Sequence, residues 1–97
     1  MMIQINYDLN KAGQNYTGLI EKIKSIANGY AKPCESCWLI ITTKSPLQVY
    51  NDLKPFIDNN DLLMVSRFYS NDYYGWLRKD VIAWIEKHKI PLREIAY

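Results

Sequence analysis

The sequence predicts an α+β domain with the element order β-α-β-β-α-β, followed by a further helix and a short last strand. Three observations predict it. Apolar and polar residues alternate over 2–8, as in a strand with one face in a core. Residues 16–27 carry apolar side chains at helical spacing. Residues 36–43 are apolar on both faces and rich in β-formers, which is typical of a central strand.

The elements of the first half follow from local signals. Asn15 is a suitable N-cap for the first helix, and an Asn-Gly pair after Ala27 is a typical stop. Pro33 interrupts the short strand over 30–34, because proline cannot donate to a ladder. This strand is therefore expected at an edge of the sheet.

Ser45 and Pro46 predict the start of the second helix, as a capping hydroxyl followed by proline at the first helical position. Pro55 should end or kink that helix near Lys54, and residues 58–61 should form a turn. The apolar face of this helix is expected to comprise Leu47, Tyr50, Leu53 and Ile57.

The second half adds a strand over 62–69 and a helix ended by Pro91, and residues 92–97 are expected to form the last strand. The side chains that predict this helix are Trp76, Leu77, Val81, Trp84, Ile85 and His88. The whole order is the split βαβ arrangement of a ferredoxin-like fold. We expect a single domain over 1–97, with a core of about 2–70 and a C-terminal extension over 71–97.

In such a fold both crossover helices pack on one face of an antiparallel sheet. The other face must be solvated, covered by the C-terminal segment or used for association. Since the predicted strands are largely apolar on both sides, full exposure is not expected. A homodimer through the open face or the C-terminal edge follows as a prediction.

Charge and composition restrict the classes of partner. Twelve basic and ten acidic residues give a net charge of +2, without a basic run, so strong non-specific binding of nucleic acid by a monomer is not indicated. A dimer could still concentrate charge on one surface. The chain shows neither a signal peptide nor an apolar run of membrane-spanning length, and a cytoplasmic protein is expected.

Asp8 ends the first strand, on the polar face that also carries Gln4 and Asn6. A carboxylate at this place can be a metal ligand, can cap the following turn with help from Asn10, or can form hydrogen bonds at a dimer interface. The residues alone leave these three roles open.

Tyrosine is unusually frequent, with eight Tyr against two Phe, and suits surfaces that are half-buried or take part in stacking. Tyr69, Tyr73, Tyr74 and Trp76 flank one loop. They could stack on unpaired bases or form an apolar cover over the sheet. Ser66 and Arg67 could bind phosphate or a partner, or could be a polar pair at an edge.

The remaining reactive side chains suggest ordinary roles. Cys34 and Cys37 form a CxxC that leads into a strand rather than a helix, and the one histidine, His88, lies far away in sequence. Two reduced thiols are therefore expected rather than a redox or zinc site. His88 is expected to be a cation near a helix C-terminus.

Some of these residues resemble a known family. A strand that ends in Tyr7-Asp8, then a helix, then a strand opened by Ser36 and Trp38 resembles the small CRISPR-associated subunit that partners the spacer integrase. The virulence-associated protein D toxins look similar in layout. Small SinR-like proteins of bacteria and phages are similar in the Asn-Tyr-Asp-Leu-Asn and Glu-Ser-Cys-Trp segments. The resemblance covers about residues 2–70.

The resemblance implies a dimer in which two copies of Asp8 face each other and hold Mg²⁺ or Mn²⁺ for phosphodiester cleavage, as an endoribonuclease would. The chain departs from the family pattern because no arginine precedes Arg67; the loop after the first strand offers Asn10, Lys11 and Gln14 instead. Three classes follow: a metal-dependent nuclease, a non-catalytic dimer that binds RNA or DNA, and a protein-binding dimer such as a phage or mobile-element factor acting on a host complex.

Overall fold

The computed structural model describes residues 1–9 and 16–89. Within these residues the strands are β1 (Met2–Asp8), β2 (Gly29–Cys34), β3 (Cys37–Ile41) and β4 (Leu62–Arg67), and the helices are α1 (Thr17–Ile26), α2 (Pro46–Leu53) and α3 (Lys79–Lys87). The order β-α-β-β-α-β followed by a helix is the predicted one. The expected last strand, over 92–97, and the expected N-cap, Asn15, lie outside the described residues.

The four strands form one antiparallel sheet in the order β2-β3-β1-β4. Among the described strands, β3 lies inside the sheet and β2 at an edge, as predicted. The structure is thus a small α+β fold that is compatible with a ferredoxin-like arrangement. None of the helices between residues 16 and 89 is long and apolar enough to cross a membrane.

The main core lies between one face of the sheet and the helices α1 and α2. Its fully buried side chains are Ile3, Ile5, Leu19, Ile23, Trp38, Ile40, Val49 and Leu53. In β1, Ile3 and Ile5 are buried while Gln4 and Asn6 are half-buried, as the alternation predicted; Met2 is buried as well. We call this side of the sheet the helix face and the opposite side the second face.

The start and end of α2 agree with the sequence signals. The Ser45 hydroxyl accepts a hydrogen bond from the Gln48 N–H at 3.2 Å, and the Gln48 side chain accepts one from the Ser45 N–H at 2.9 Å. This reciprocal pair is a capping box, with Pro46 at the first helical position. As expected from Pro55, the helix gives way to a 3₁₀ turn, Lys54–Phe56.

The expected apolar face of α2 was partly wrong. Val49 and Leu53 are completely buried, whereas the Leu47 side chain is 67% exposed. Val49 and Leu53 are one helical turn apart and point at the sheet together. Leu47 lies in the first turn, two positions before Val49, and therefore points away from the core.

The second face is partly covered by the C-terminal segment, one of the three expected outcomes. Val81 and Ile85 of α3 bury Leu39 of β3, and Phe68, Tyr73, Leu77 and Trp84 pack around them. The predicted helix began too early, because Trp76 and Leu77 precede Lys79. Leu77 packs on this cluster from a segment that is not helical. Its spacing from Val81 equals one helical turn, and for this reason the sequence pattern placed Leu77 in the helix. The expected strand over 62–69 likewise ends sooner, at Arg67.

Candidate functional site: an aromatic groove on the second face

The register of the sheet determines which side chains share the second face. Gln4 lies opposite Leu39 on one side and Ser66 on the other, and Asn6 lies opposite Cys37 and Met64. Residues directly opposite in an antiparallel pair point to the same side. The polar alternation of β1 therefore places two amides in the middle of this face.

A groove with a volume of about 630 Å³ lies between these amides and the loop that connects β4 to α3. We call it the aromatic groove. Its floor includes Gln4, Asn6, Cys37 and Leu39 of the two central strands, and its loop wall includes Phe68, Tyr69, Asp72, Tyr73, Tyr74, Gly75, Trp76 and Leu77. Arg67, Pro33 and Cys34 complete the lining.

The aromatic side chains of the loop wall differ greatly in exposure. Tyr74 and Trp76 are fully exposed, at 101% and 102%. Tyr73 is half-buried and packs against Phe68, with ring centroids 5.3 Å apart. The expectation of an apolar cover over the sheet therefore fits Tyr73 but neither Tyr74 nor Trp76, whose two rings are open to a ligand; Tyr69 is 39% exposed.

Arg67 and Asp72 are the charged residues of the groove lining. The Arg67 guanidinium lies 6.0 Å from the centroid of the Tyr69 ring, a cation–π distance. Ser66 lies opposite Gln4 on the second face and is half-buried. The structure thus brings together Arg67, Tyr73, Tyr74 and Trp76 from the expected set, with Ser66 one position from Arg67.

Asp8 lies apart from this group. It is exposed, lies opposite Leu62, and belongs to a shallow pocket lined by Asn6, Tyr7, Asp8, Leu62, Leu63 and Met64. Arg67 lies opposite Ile3, five positions away along β1. At about 3.3 Å per residue, roughly 17 Å separates Asp8 from the arginine end of the sheet. Asn10 and Lys11, expected to act beside Asp8, lie outside the described residues.

One chain supplies few ligands for a metal at Asp8. The other side-chain oxygen donor of its pocket is the Asn6 amide, since the Tyr7 hydroxyl accepts a hydrogen bond from the Trp38 indole on the helix face, and the remaining walls are leucine and methionine. Within residues 1–9 and 16–89, no group of three or more His, Cys, Asp or Glu side chains could hold a metal ion. The described donors therefore do not fit Mg²⁺ or Mn²⁺ within a single copy.

The two cysteines lie opposite each other at the β2–β3 turn, and both thiols are free. Burial raises the pKa of the Cys37 thiol, and the Cys34 thiol raises it further, while a weak hydrogen bond from the Gln4 amide at 3.8 Å acts in the opposite direction. A raised pKa keeps Cys37 a neutral thiol, which is a poor nucleophile.

Sequence reasoning missed the amides Gln4 and Asn6 as members of the site. The alternation in β1 showed that one side of the strand is polar. It did not show which segment of the chain lies over that side. Asp72 was missed as well, since nothing local marks it as part of the groove lining. One observation could have indicated all three residues. The C-terminal segment covers only part of the second face, so the polar side chains of β1 on that face can border a groove.

Comparison with protein-family models, with curated protein sequences and with solved structures gave no significant match.

Proposed function

We propose that this chain is a dimeric nucleic-acid-associated protein whose aromatic groove binds unpaired bases. The observation that carries the proposal is the pair of fully exposed rings, Tyr74 and Trp76, on the wall of a groove whose floor presents Gln4 and Asn6. Unpaired bases stack on such rings, and amides can both donate to and accept from base edges.

The charge of the groove indicates what binding should look like. Arg67 is the basic residue of the lining, but its position in β4 is opposite Ile3 of the helix face, and Asp72 is an acidic residue of the same lining. Each phosphate that a protein contacts on a single strand contributes a slope of about −0.7 to the dependence of log K on log salt. With one arginine per groove we expect a shallow salt dependence, and affinity that depends mainly on stacking.

We further propose that the fold is ferredoxin-like and related to the CRISPR-associated integration subunit, the virulence-associated protein D toxins and the SinR-like proteins. The antiparallel order β2-β3-β1-β4, with α1 and α2 on one face, supports this. A nuclease of this type would depend on Asp8 from each of two subunits with Mg²⁺ or Mn²⁺. Because one chain supplies a single carboxylate there, we derive no cleavage step.

A titration with single-stranded RNA tests the binding proposal. Trp38 is buried and Trp84 half-buried, so quenching of fluorescence by an oligouridine should come from Trp76. Trp76→Phe should remove the quench but keep binding, measured by the anisotropy of labelled RNA. Trp76→Ala should weaken binding, by about 5-fold to 150-fold if stacking contributes about 1–3 kcal/mol per base.

Leu47→Ala is the matched control, because Leu47 is an exposed apolar side chain on α2, which lies on the helix face. It should change neither the quench nor the affinity. Absence of a quench together with unchanged affinity in Trp76→Ala would refute the binding proposal.

The second candidate is a non-catalytic dimer that binds a protein, such as a phage or mobile-element factor acting on a host complex. The near neutrality of the groove favours it, since Arg67 and Asp72 offset each other. Grooves lined by aromatic rings also bind extended, proline-rich segments. A proline-rich peptide that quenches Trp76 where single-stranded RNA does not would favour this candidate.

A further inference from the structure

Among residues 1–9 and 16–89, no strand lies beside the outer edge of β4, and the hydrogen-bonding pattern of this edge can be read from the register. The Phe68 N–H donates to the Met2 carbonyl at 2.9 Å. Hydrogen-bonded pairs alternate along an antiparallel ladder, so Ser66 and Met64 also bond to β1. The backbone groups of the intervening residues must therefore point outward.

Those outward groups belong to Leu63, Val65 and Arg67. The β1–β3 ladder supports this phase, because the Tyr7 N–H donates to the Ser36 carbonyl and odd-numbered residues of β1 thus face β3. No strand between residues 1–9 and 16–89 pairs with this side of β4. With respect to the described strands, these outward donors and acceptors form a row to which another strand can pair.

The two edge strands differ in the features that prevent pairing with a further strand. At the β2 edge, Pro33 and a shift of register between Ala31 and Cys34 interrupt the ladder, and the Arg78 guanidinium donates to the Lys32 carbonyl at 2.8 Å. Such features prevent pairing with a further strand. The β4 edge has neither a proline nor a lysine within Leu62–Arg67.

The side chains of β4 are also less buried than those of β1. On the helix face, Ile3 and Ile5 of β1 are completely buried, whereas Leu63 and Val65 of β4 are half-buried. On the second face, Leu62 is 62% exposed. An added strand would cover side chains on both faces at once.

We infer that β4 pairs with β4 of a second copy of this chain, antiparallel and with the two-fold axis at Val65. This register is the one in which outward groups meet outward groups: Val65 lies opposite the partner's Val65, and Leu63 lies opposite the partner's Arg67. About six hydrogen bonds form across the axis. A strand paired with itself in this way is a closed, isologous contact.

Charge is compatible with this pairing. Arg67 is the charged residue of β4, and in this register it lies opposite leucine, so the two arginines are roughly 14 Å apart. That separation exceeds the Debye length of about 8 Å at physiological ionic strength. On the second face, Met64 lies opposite the partner's Ser66 and Leu62 opposite the partner's Phe68, which buries both exposed apolar side chains.

The dimer deepens the proposed function, on which this step depends. A two-fold axis perpendicular to the sheet turns both second faces to the same side, so that two aromatic grooves share one continuous surface. A strand of RNA could then contact both. The two copies of Asp8 lie roughly 25 Å apart in this arrangement, too far to hold one metal ion. Edge pairing and a shared metal at Asp8 therefore exclude each other.

Cysteine cross-linking tests the register. In a Cys34→Ser background, which removes the exposed native thiol, Val65→Cys places two thiols opposite each other at the axis. The two Cα atoms of a hydrogen-bonded pair are about 5.5 Å apart, within the range that a disulfide requires. Oxidised glutathione should convert this variant to a covalent dimer, seen on a non-reducing gel.

Leu62→Cys in the same background is the matched control. It lies on the same strand, but its counterpart is about 20 Å away in this register. We expect at least a tenfold slower cross-linking. The unmodified chain should sediment at twice the monomer mass at high micromolar concentration. These measurements contain no RNA, so their outcome is independent of the Trp76 titration.

Three results would overturn the inference: a monomeric mass of the unmodified chain, failure of Val65→Cys to cross-link, or equal cross-linking by Leu62→Cys. Near-ultraviolet circular dichroism establishes that both variants are folded. If they are, a dimer that cross-links at neither position uses another surface, and the face-to-face arrangement with paired Asp8 becomes the better description.

Discussion

The indole N–H of Trp38 donates a hydrogen bond of 2.9 Å to the hydroxyl of Tyr7. The Tyr7 hydroxyl in turn lies 3.4 Å from the carbonyl oxygen of Glu35. These contacts connect the end of β1 to the start of β3. The aromatic residue before Asp8 and the aromatic residue after Ser36, which carry the resemblance in the sequence, are thus in direct contact, and the contact is structural.

Tyr7→Phe should lower the free energy of unfolding by about 1–3 kcal/mol. Trp38 is buried, and the substitution leaves its indole N–H without an acceptor, which costs the desolvation of that donor. Urea denaturation followed by fluorescence measures the change. Tyr50→Phe, on half-buried Tyr50 of α2, serves as the control. An equal loss in both variants would contradict the role assigned to the Trp38 contact.

Ser45→Ala should cost about 1 kcal/mol of stability, because it removes the acceptor for the Gln48 N–H at the start of α2. Gln48→Ala should cost less, since its side chain satisfies one backbone donor that water can reach. The double variant should cost less than the sum of the two, because the two bonds form one reciprocal pair. Additive losses in thermal or urea unfolding would show that the two bonds act independently.

Asp8→Ala should leave RNA binding in the aromatic groove unchanged within twofold. Asp8 is exposed and lies in a different pocket from Arg67 and Trp76. The same variant should abolish any Mg²⁺-dependent or Mn²⁺-dependent cleavage that the purified chain shows. Cleavage that persists in Asp8→Ala would identify a contaminating nuclease, and a large loss of binding would show that the two pockets act together.

Cys37 should lower stability at alkaline pH. Its pKa is raised in the folded chain, chiefly by burial, so the folded state holds this proton more tightly than the unfolded state. The sign follows from linkage: the contribution is complete below the unfolded thiol pKa of about 8.5 and is lost as the pH rises above it. Urea unfolding at pH 7 and pH 10 should show a smaller decrease for Cys37→Ala than for the unmodified chain.

Alkylation gives an independent check of the same thiol. Iodoacetamide should label exposed Cys34 at least tenfold faster than Cys37, as measured by mass spectrometry after digestion. Equal rates in the folded chain would mean that Cys37 is neither buried nor held neutral.

Much of the fold could be predicted because the relevant signals are local. Pro33 indicated an edge strand, and Ser45 with Pro46 indicated a helix start, since each acts through its own backbone geometry. The errors came where contacts with distant residues decide. Leu77 is apolar because α3 and β3 lie nearby, and this contact cannot be distinguished from a helical period in the sequence.

The candidate site was predictable only in part, for a related reason. Tyr73, Tyr74 and Trp76 are close in sequence, so their proximity to Arg67 could be expected. Their position above the amides of β1 depends on the path of the chain between β4 and α3, which local patterns do not encode. Asp8 was predicted as a candidate site residue because it is an isolated acid at a strand end. The sheet register places it at the opposite end of β1 from Arg67.

The segment between Phe68 and Arg78 has a mechanical consequence. Phe68 is attached to β1 beside one outer strand, and Arg78 is attached to the opposite outer strand through the Lys32 carbonyl. The loop therefore crosses the sheet from the β4 side to the β2 side. A cut at the exposed peptide between Tyr74 and Gly75 would separate the two attachments without removing any residue of β1 to β4.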